Sequence, residues 1–257
     1  MYTGSILAIA LSAATLVSAH GKVLSAVGNL GGNGTALGIK GASVAQFGPN
    51  SATEKDTTVF GGNAQKPKTD GLGKTTASGN LKVAALADTM AQSGNTLPQV
   101  SADGTGTVTG TWRVVTSDGT ANNKAGDLFA VIDSTGTGKF SQGTQLVATT
   151  NLVGNGNGNV VQRALRAIGI QRRATNVGAD AAYTVKIPAG TTCSGSDATS
   201  GQSNFCLLKI ANNNGNGPFG GTVAFQIAGA GGATGNTTAA AATKAAKAAR
   251  RELAFEA

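Results

Sequence analysis

Histidine is nearly absent from this 257-residue chain: His20 is the one residue of its kind. That scarcity removes most side-chain catalysis at once. A Ser-His-Asp or Cys-His arrangement needs an imidazole beside its nucleophile. Aromatic residues are almost as rare, at 4%. Readers of single-stranded nucleic acid stack bases on exposed rings, so the formal charge of +8, spread over scattered Lys and Arg, does not point to nucleic acid. It permits a mild attraction to acidic wall polymers or membrane surfaces. Trp112 and Tyr183 fall in strand-like patterns and read as core, which leaves no platform for stacking sugars. Phe219, between Pro218 and Gly220, is the ring a loop would best present, and it reads as an anchor at the domain edge.

Charged residues make up only 12% of the chain, too few for long solvated helices. The twelve acidic residues show no aromatic setting that would mark a glycosidase pair. Glycine-rich runs such as Gly31–Gly34 lack the lysine and the strand–loop–helix context of a phosphate loop. Beyond residue 19 no apolar run approaches the ~20 residues of a membrane span, and the charged C-terminus argues against a GPI tail. The cysteines are two, Cys193 and Cys206. They are too few for a structural zinc site and read as one disulfide, which contributes roughly 3 kcal/mol in the loop-entropy view.

What the chain does have begins at its start. Residues 1–19 carry no charged side chain. A short apolar run from Ile6 to Val17 and small residues before Ala19 predict a secretory signal peptide. A cut after Ala19 would place His20 at the mature N-terminus, where its α-amine and imidazole could grip one metal ion. Copper is then the candidate cofactor, as in the histidine brace of lytic polysaccharide monooxygenases and their copper-binding relatives, which His20-Gly21 resembles. A brace needs a further imidazole. Here a carboxylate (Asp56, Asp70, Asp103, Asp118 or Asp127) or an amide would have to replace it.

Glycine, at 39 residues, favours short strands joined by turns. Strands are expected at Lys22–Val27, Thr57–Phe60, Thr105–Thr116, Asp127–Ile132, Thr144–Thr149, Ala182–Pro188, Phe205–Ile210 and Thr222–Ile227. The three over 105–149 read as an antiparallel meander, with turns at Asp118-Gly119 and Ser134–Gly138. Leu81–Met90 has helical spacing and no Gly or Pro, so one internal helix is expected there. Asn33 and Asn236 sit in N-glycosylation acceptors. Arg172-Arg173 is a candidate dibasic processing site. From residue 229 the composition falls to Ala, Gly and Thr, which predicts a helical or disordered tail. The expected organisation is a signal peptide (1–19), one domain (20–228) and an Ala-rich tail (229–257). The expected fold is mainly β: an immunoglobulin-like antiparallel β-sandwich with long loops, with an irregular barrel as second choice.

Residues 182–227 carry a family resemblance. YTVKIPAGTTCSG followed by NFCLLKIANNNGNGPFGGTVAFQI is similar to the C-terminal block of the fungal Egh-like (MAS-type) secreted virulence-factor family. The most specific residues are Asn212, Asn213, Gly217, Pro218, Phe219, Gly220 and Gly221. LPQVSADGTGTVTG at 97–110, DSTGTGKF at 133–140 and His20-Gly21 fit in order. The family usually has further cysteines where this chain has Ile210 and Thr222, and their loss reads as one missing disulfide. The resemblance implies a secreted protein with a role at the fungus–host surface during appressorium formation; the chain is expected to be an extracellular or wall-associated monomer. Its partner would be a host or fungal wall component, and no defined reaction is implied. The alternatives are a copper protein acting on polysaccharide through His20, and a wall-structural or adhesive protein.

Overall fold

The computed structural model describes residues 20–40, 55–61, 68–115, 128–150, 180–212 and 218–229. The chain is mainly antiparallel β. Its longer strands are β1 (Gly21–Gly28), β7 (Thr107–Val114), β8 (Leu128–Asp133), β9 (Thr144–Thr150), β10 (Asp180–Lys186), β12 (Gln202–Asn212) and β13 (Phe219–Ile227). Shorter pieces are β2 (Gly31–Gly34), β3 (Thr58–Val59), β4 (Lys74–Thr75), β5 (Gly79–Asn80), β6 (Gln99–Val100) and β11 (Gly195–Asp197). All belong to one sheet, ordered β2-β1-β7-β10-β9-β8-β12-β13-β3-β4-β5, with β11 on β12 and β6 on β13.

Alternation decides which side of each strand is inward. On β7, Val108, Trp112 and Val114 are buried, and on β10, Ala181, Tyr183 and Val185. Val108, Trp112, Tyr183 and Val185 join Val23, Ile132, Leu208, Val223 and Phe225 in an inner core. β12 and β13 are buried almost throughout because their second face is covered too. Leu72, Leu81, Leu86, Met90 and Leu97 lie over Val131, Phe205, Leu207 and Ala224. Each large side chain buried this way contributes about 1.5–3 kcal/mol.

The sheet curls until its ends meet. One side of β13 is filled by three separate pieces: β3 antiparallel at Phe219 and Gly220, Leu37 through its N–H to the Thr222 carbonyl at 2.8 Å, and β6 parallel at Gln226 and Ile227. The β6 segment also faces the opposite end of the sheet. Leu30 N–H donates to the Gln99 carbonyl and Asn33 N–H to the Thr96 carbonyl, each at 3.0 Å. Glycine permits this approach: a Cβ on Gly28 would collide with the Gln99 backbone, and one on Gly221 with Ala36 of the crossing chain.

The expected meander is only half present. β8 and β9 form an antiparallel pair, but β7 lies between β1 and β10. Local turn residues encode hairpins, whereas β7's partners are distant in sequence. The helix is also displaced. Lys82 is extended, Val83–Ala85 is a 3₁₀ turn, and α1 runs Leu86–Ser93 to Gly94 at φ 112°, a conformation that favours glycine after a helix. Leu81 N–H is instead bonded to the Gly73 carbonyl. Among the described residues no helix is long and apolar enough to cross a membrane.

Candidate functional site

The structure brings together two sequence features that lie 199 positions apart, His20 and Phe219. Their rings meet edge to face, with centroids 3.8 Å apart. Phe219 opens β13, and its N–H donates to Asn212 Oδ1 at 2.9 Å, a buried bond. Asn212 closes β12, so its carboxamide stitches together the two strands that the glycine-rich connection joins. The preceding Pro218 offers its carbonyl to Phe60 N–H at 2.8 Å.

The first three residues of the described chain are each engaged differently. The His20 carbonyl accepts Val115 N–H at 2.9 Å, beside its ring contact. Gly21 lies on the indole of Trp112, where any Cβ would collide with the ring. Lys22 Nζ donates to Asp56 Oδ1 at 2.6 Å, and neither side chain is more than 1% exposed. Asp56 Oδ2 also accepts Lys40 N–H at 3.2 Å. The glycine of His-Gly is thus required by Trp112, independently of any metal.

Phe60 leads to a second buried charge. Lys209 Nζ sits 4.6 Å from the Phe60 ring centroid and 4.8 Å from that of Phe140, and it donates to the Thr69 carbonyl at 2.6 Å. Burial pushes this ammonium down to about 8, with Asp70 opposing the shift. Asp70 accepts Ser141 N–H at 2.7 Å and Ser141 Oγ at 3.0 Å, and those bonds hold its carboxyl below the usual range. Lys209 therefore ties the covering layer to the sheet by charge and by ring faces.

The 133–140 stretch is a structural turn. Asp133 takes Thr135 N–H and Oγ1 on one oxygen. Its other oxygen takes the N–H groups of Thr137, Gly138 and Lys139. Gly136 and Gly138 have φ of 67° and 85°, which suits glycine. The Ser134 carbonyl accepts Ser194 N–H at 2.8 Å, next to the Cys193–Cys206 disulfide. The expected cysteine pairing is present.

Asn33 is exposed on β2, and Asn212, Pro218, Phe219, Gly220 and Gly221 gather as described. Asn213, Gly217, Arg172, Arg173, Asn236, the 1–19 leader and the tail beyond 229 lie outside the described residues. Ile210 pairs with Gly221, and Thr222 with Lys209, so Ile210 and Thr222 face opposite sides of the sheet. Cysteines at those two places would not bridge to each other, which corrects their reading as a single lost disulfide. Among the described residues no group of three or more His, Cys, Asp or Glu is placed to hold a metal. Of the carboxylates named as possible further ligands, Asp118 and Asp127 lie outside the described residues.

Sequence reasoning missed Lys22–Asp56, Lys209 and Asp133 as structural centres. One signal was visible: Lys209 interrupts the apolar run Phe205–Ala211, and a charge inside a buried strand needs a partner.

The profile of the Egh16-like virulence factor family matches residues 18–220. The appressoria-specific virulence factor GAS1 of Pyricularia oryzae is 30% identical over 226 residues, covering 88% of this chain and 78% of that protein. The appressoria-specific virulence factor GAS2 of the same fungus is 32% identical over 190 residues. That match covers 74% of this chain and 58% of GAS2. No solved structure matches the chain significantly.

Proposed function

We propose, because the chain belongs to the Egh16-like virulence factor family, that it is a secreted fungal virulence factor. It acts without catalysis at the fungus–host surface while infection structures form. The names of its relatives place them in appressoria. Export is supported by the apolar leader, and β1 begins one residue after His20, so a cut after Ala19 leaves the strand whole.

The observation that carries the non-catalytic reading is how the family's motif residues are used. Asn212 holds Phe219, Phe219 receives His20, Asp133 gathers its own turn, and Cys193 and Cys206 are bonded to each other. Each of these contacts maintains the fold. The partner is a host or wall component.

Deletion of the gene, followed by complementation, tests this reading. Penetration should fall in the deletion strain and return with the full chain. It should not return with a chain lacking residues 1–19. Unimpaired infection by the deletion strain would refute the virulence role, and rescue by the leaderless chain would refute the need for export.

A further inference from the structure

The covering layer lies over only one part of the sheet's outer side. It packs on β8, β12 and β13, whereas the outward residues of β7, β10 and β9 are exposed or half-buried; on β1 the outward side is covered at Lys22 by Asp56 and open at Val27. Strand register fixes what that side presents. Val27, Thr109, Thr184 and Thr149 form one row across four strands. Thr107 and Lys186 begin the next row, with Val147 farther along β9. Thr109 and Thr149 are exposed and Thr107 and Thr184 half-buried, while Val27 and Val147 are 37% and 60% exposed.

We propose that this face docks a neutral, extended β-linked polysaccharide presented as a surface, such as a wall polymer. The proposal rests on the surface role argued above and gives it a place on the molecule. Charge selects the partner. Arg113 and Asp180 neutralise each other through two bonds of 2.7 Å, and Lys22 is buried on Asp56. Lys186 is the remaining charge on the outward side of β1, β7 and β10. A chain of formal charge +8 therefore turns a nearly neutral face outward here, which suits an uncharged partner.

Geometry supports the same choice. Neighbouring strands stand about 4.8 Å apart and alternate residues about 6.8 Å apart. The threonines thus present a grid of hydroxyls and methyls, groups that can meet the hydroxyl edges and C–H faces of a β-linked glycan. The Thr149 hydroxyl already donates to the Thr184 carbonyl at 3.2 Å and keeps its oxygen as an acceptor, while a threonine hydroxyl in general can both donate and accept. Threonine is stiff at χ1, and the four strands are paired through the Val27–Thr149 row, so docking orders little that is not already ordered.

The test is co-sedimentation of the full secreted chain with insoluble chitin, cellulose and β-glucan particles, comparing wild type with Thr184→Glu and Thr184→Ser. Wild type should bind at least one polymer about equally well at about 50 mM and about 500 mM salt, because screening does not weaken neutral contacts. Thr184→Glu should bind about tenfold less, with wild-type thermal stability, and Thr184→Ser should bind nearly as wild type. Failure to bind any of the polymers, binding lost in salt, or equal binding by Thr184→Glu would each overturn the proposal. A melting temperature for Thr184→Glu depressed like that of a core variant would also overturn it, since another part of the chain would then occupy the face. Binding is read on purified protein, so it can fail while the infection phenotype stands, and the reverse.

Discussion

Lys22 and Asp56, separated by 34 positions, form an ion pair at 2.6 Å that is closed off from solvent. The pair joins the start of β1 to the short segment that leads into β3. Breaking it from one side should cost more than replacing it whole. Asp56→Asn should lose about 3–5 kcal/mol in urea unfolding, because a buried ammonium is left without its counter-charge. The double change Lys22→Met with Asp56→Leu should lose less.

Gly21→Ala should destabilise by about 1–3 kcal/mol, as the new methyl would enter the indole of Trp112. His20→Ala leaves Gly21 in place and should cost less. The same denaturant series measures both, and Trp112 fluorescence should shift for Gly21→Ala.

Copper binding separates the two readings of His20. Calorimetry with Cu(II) on secreted wild type and His20→Ala should give weak binding to both. Tight binding abolished by His20→Ala would establish the copper reading.

Lys209 predicts a pH effect of defined sign. Its folded pKa of about 8 lies below the ordinary 10.5, so between those values the unfolded chain binds more protons. Its contribution to stability therefore rises with pH across that window. The stability of wild type relative to Lys209→Met should increase from pH 8 to pH 10.5, as followed by thermal unfolding. A flat or falling difference would contradict the burial of this ammonium.

Opening the disulfide should loosen the turn region more than the sheet. Cys193→Ser with Cys206→Ser should cost roughly 2–4 kcal/mol. Exchange of amide protons at Ser194 and nearby residues should speed up before that of β7 or β10.

Much of the strand pattern was legible in the sequence. Val108, Trp112 and Val114 alternate, and β7 follows them; Phe205–Ala211 is a continuous apolar run, and β12 is buried on both faces. The disulfide was legible from two cysteines and a leader. Between residues 29 and 100 the strand at Thr57–Phe60 was legible and contains β3, but the pairing was not, because β3 and β6 bond to β13, far away in sequence. Two-residue pieces such as β4 and β6 have no period to detect. The corner at His20 and Phe219 was half legible: both residues stood out, but their meeting depends on how β1 and β13 cross, which no local pattern encodes. Gly21 looked like part of a metal motif until the position of Trp112 supplied a packing reason.

The bridging of the sheet's ends by the 96–100 segment bears on behaviour at high concentration. Every long strand among the described residues has a neighbour on both sides. Such a molecule offers little backbone on which another copy could template a growing sheet. Crowded into a thin layer at a cell surface, it should stay as separate particles rather than fuse into fibres.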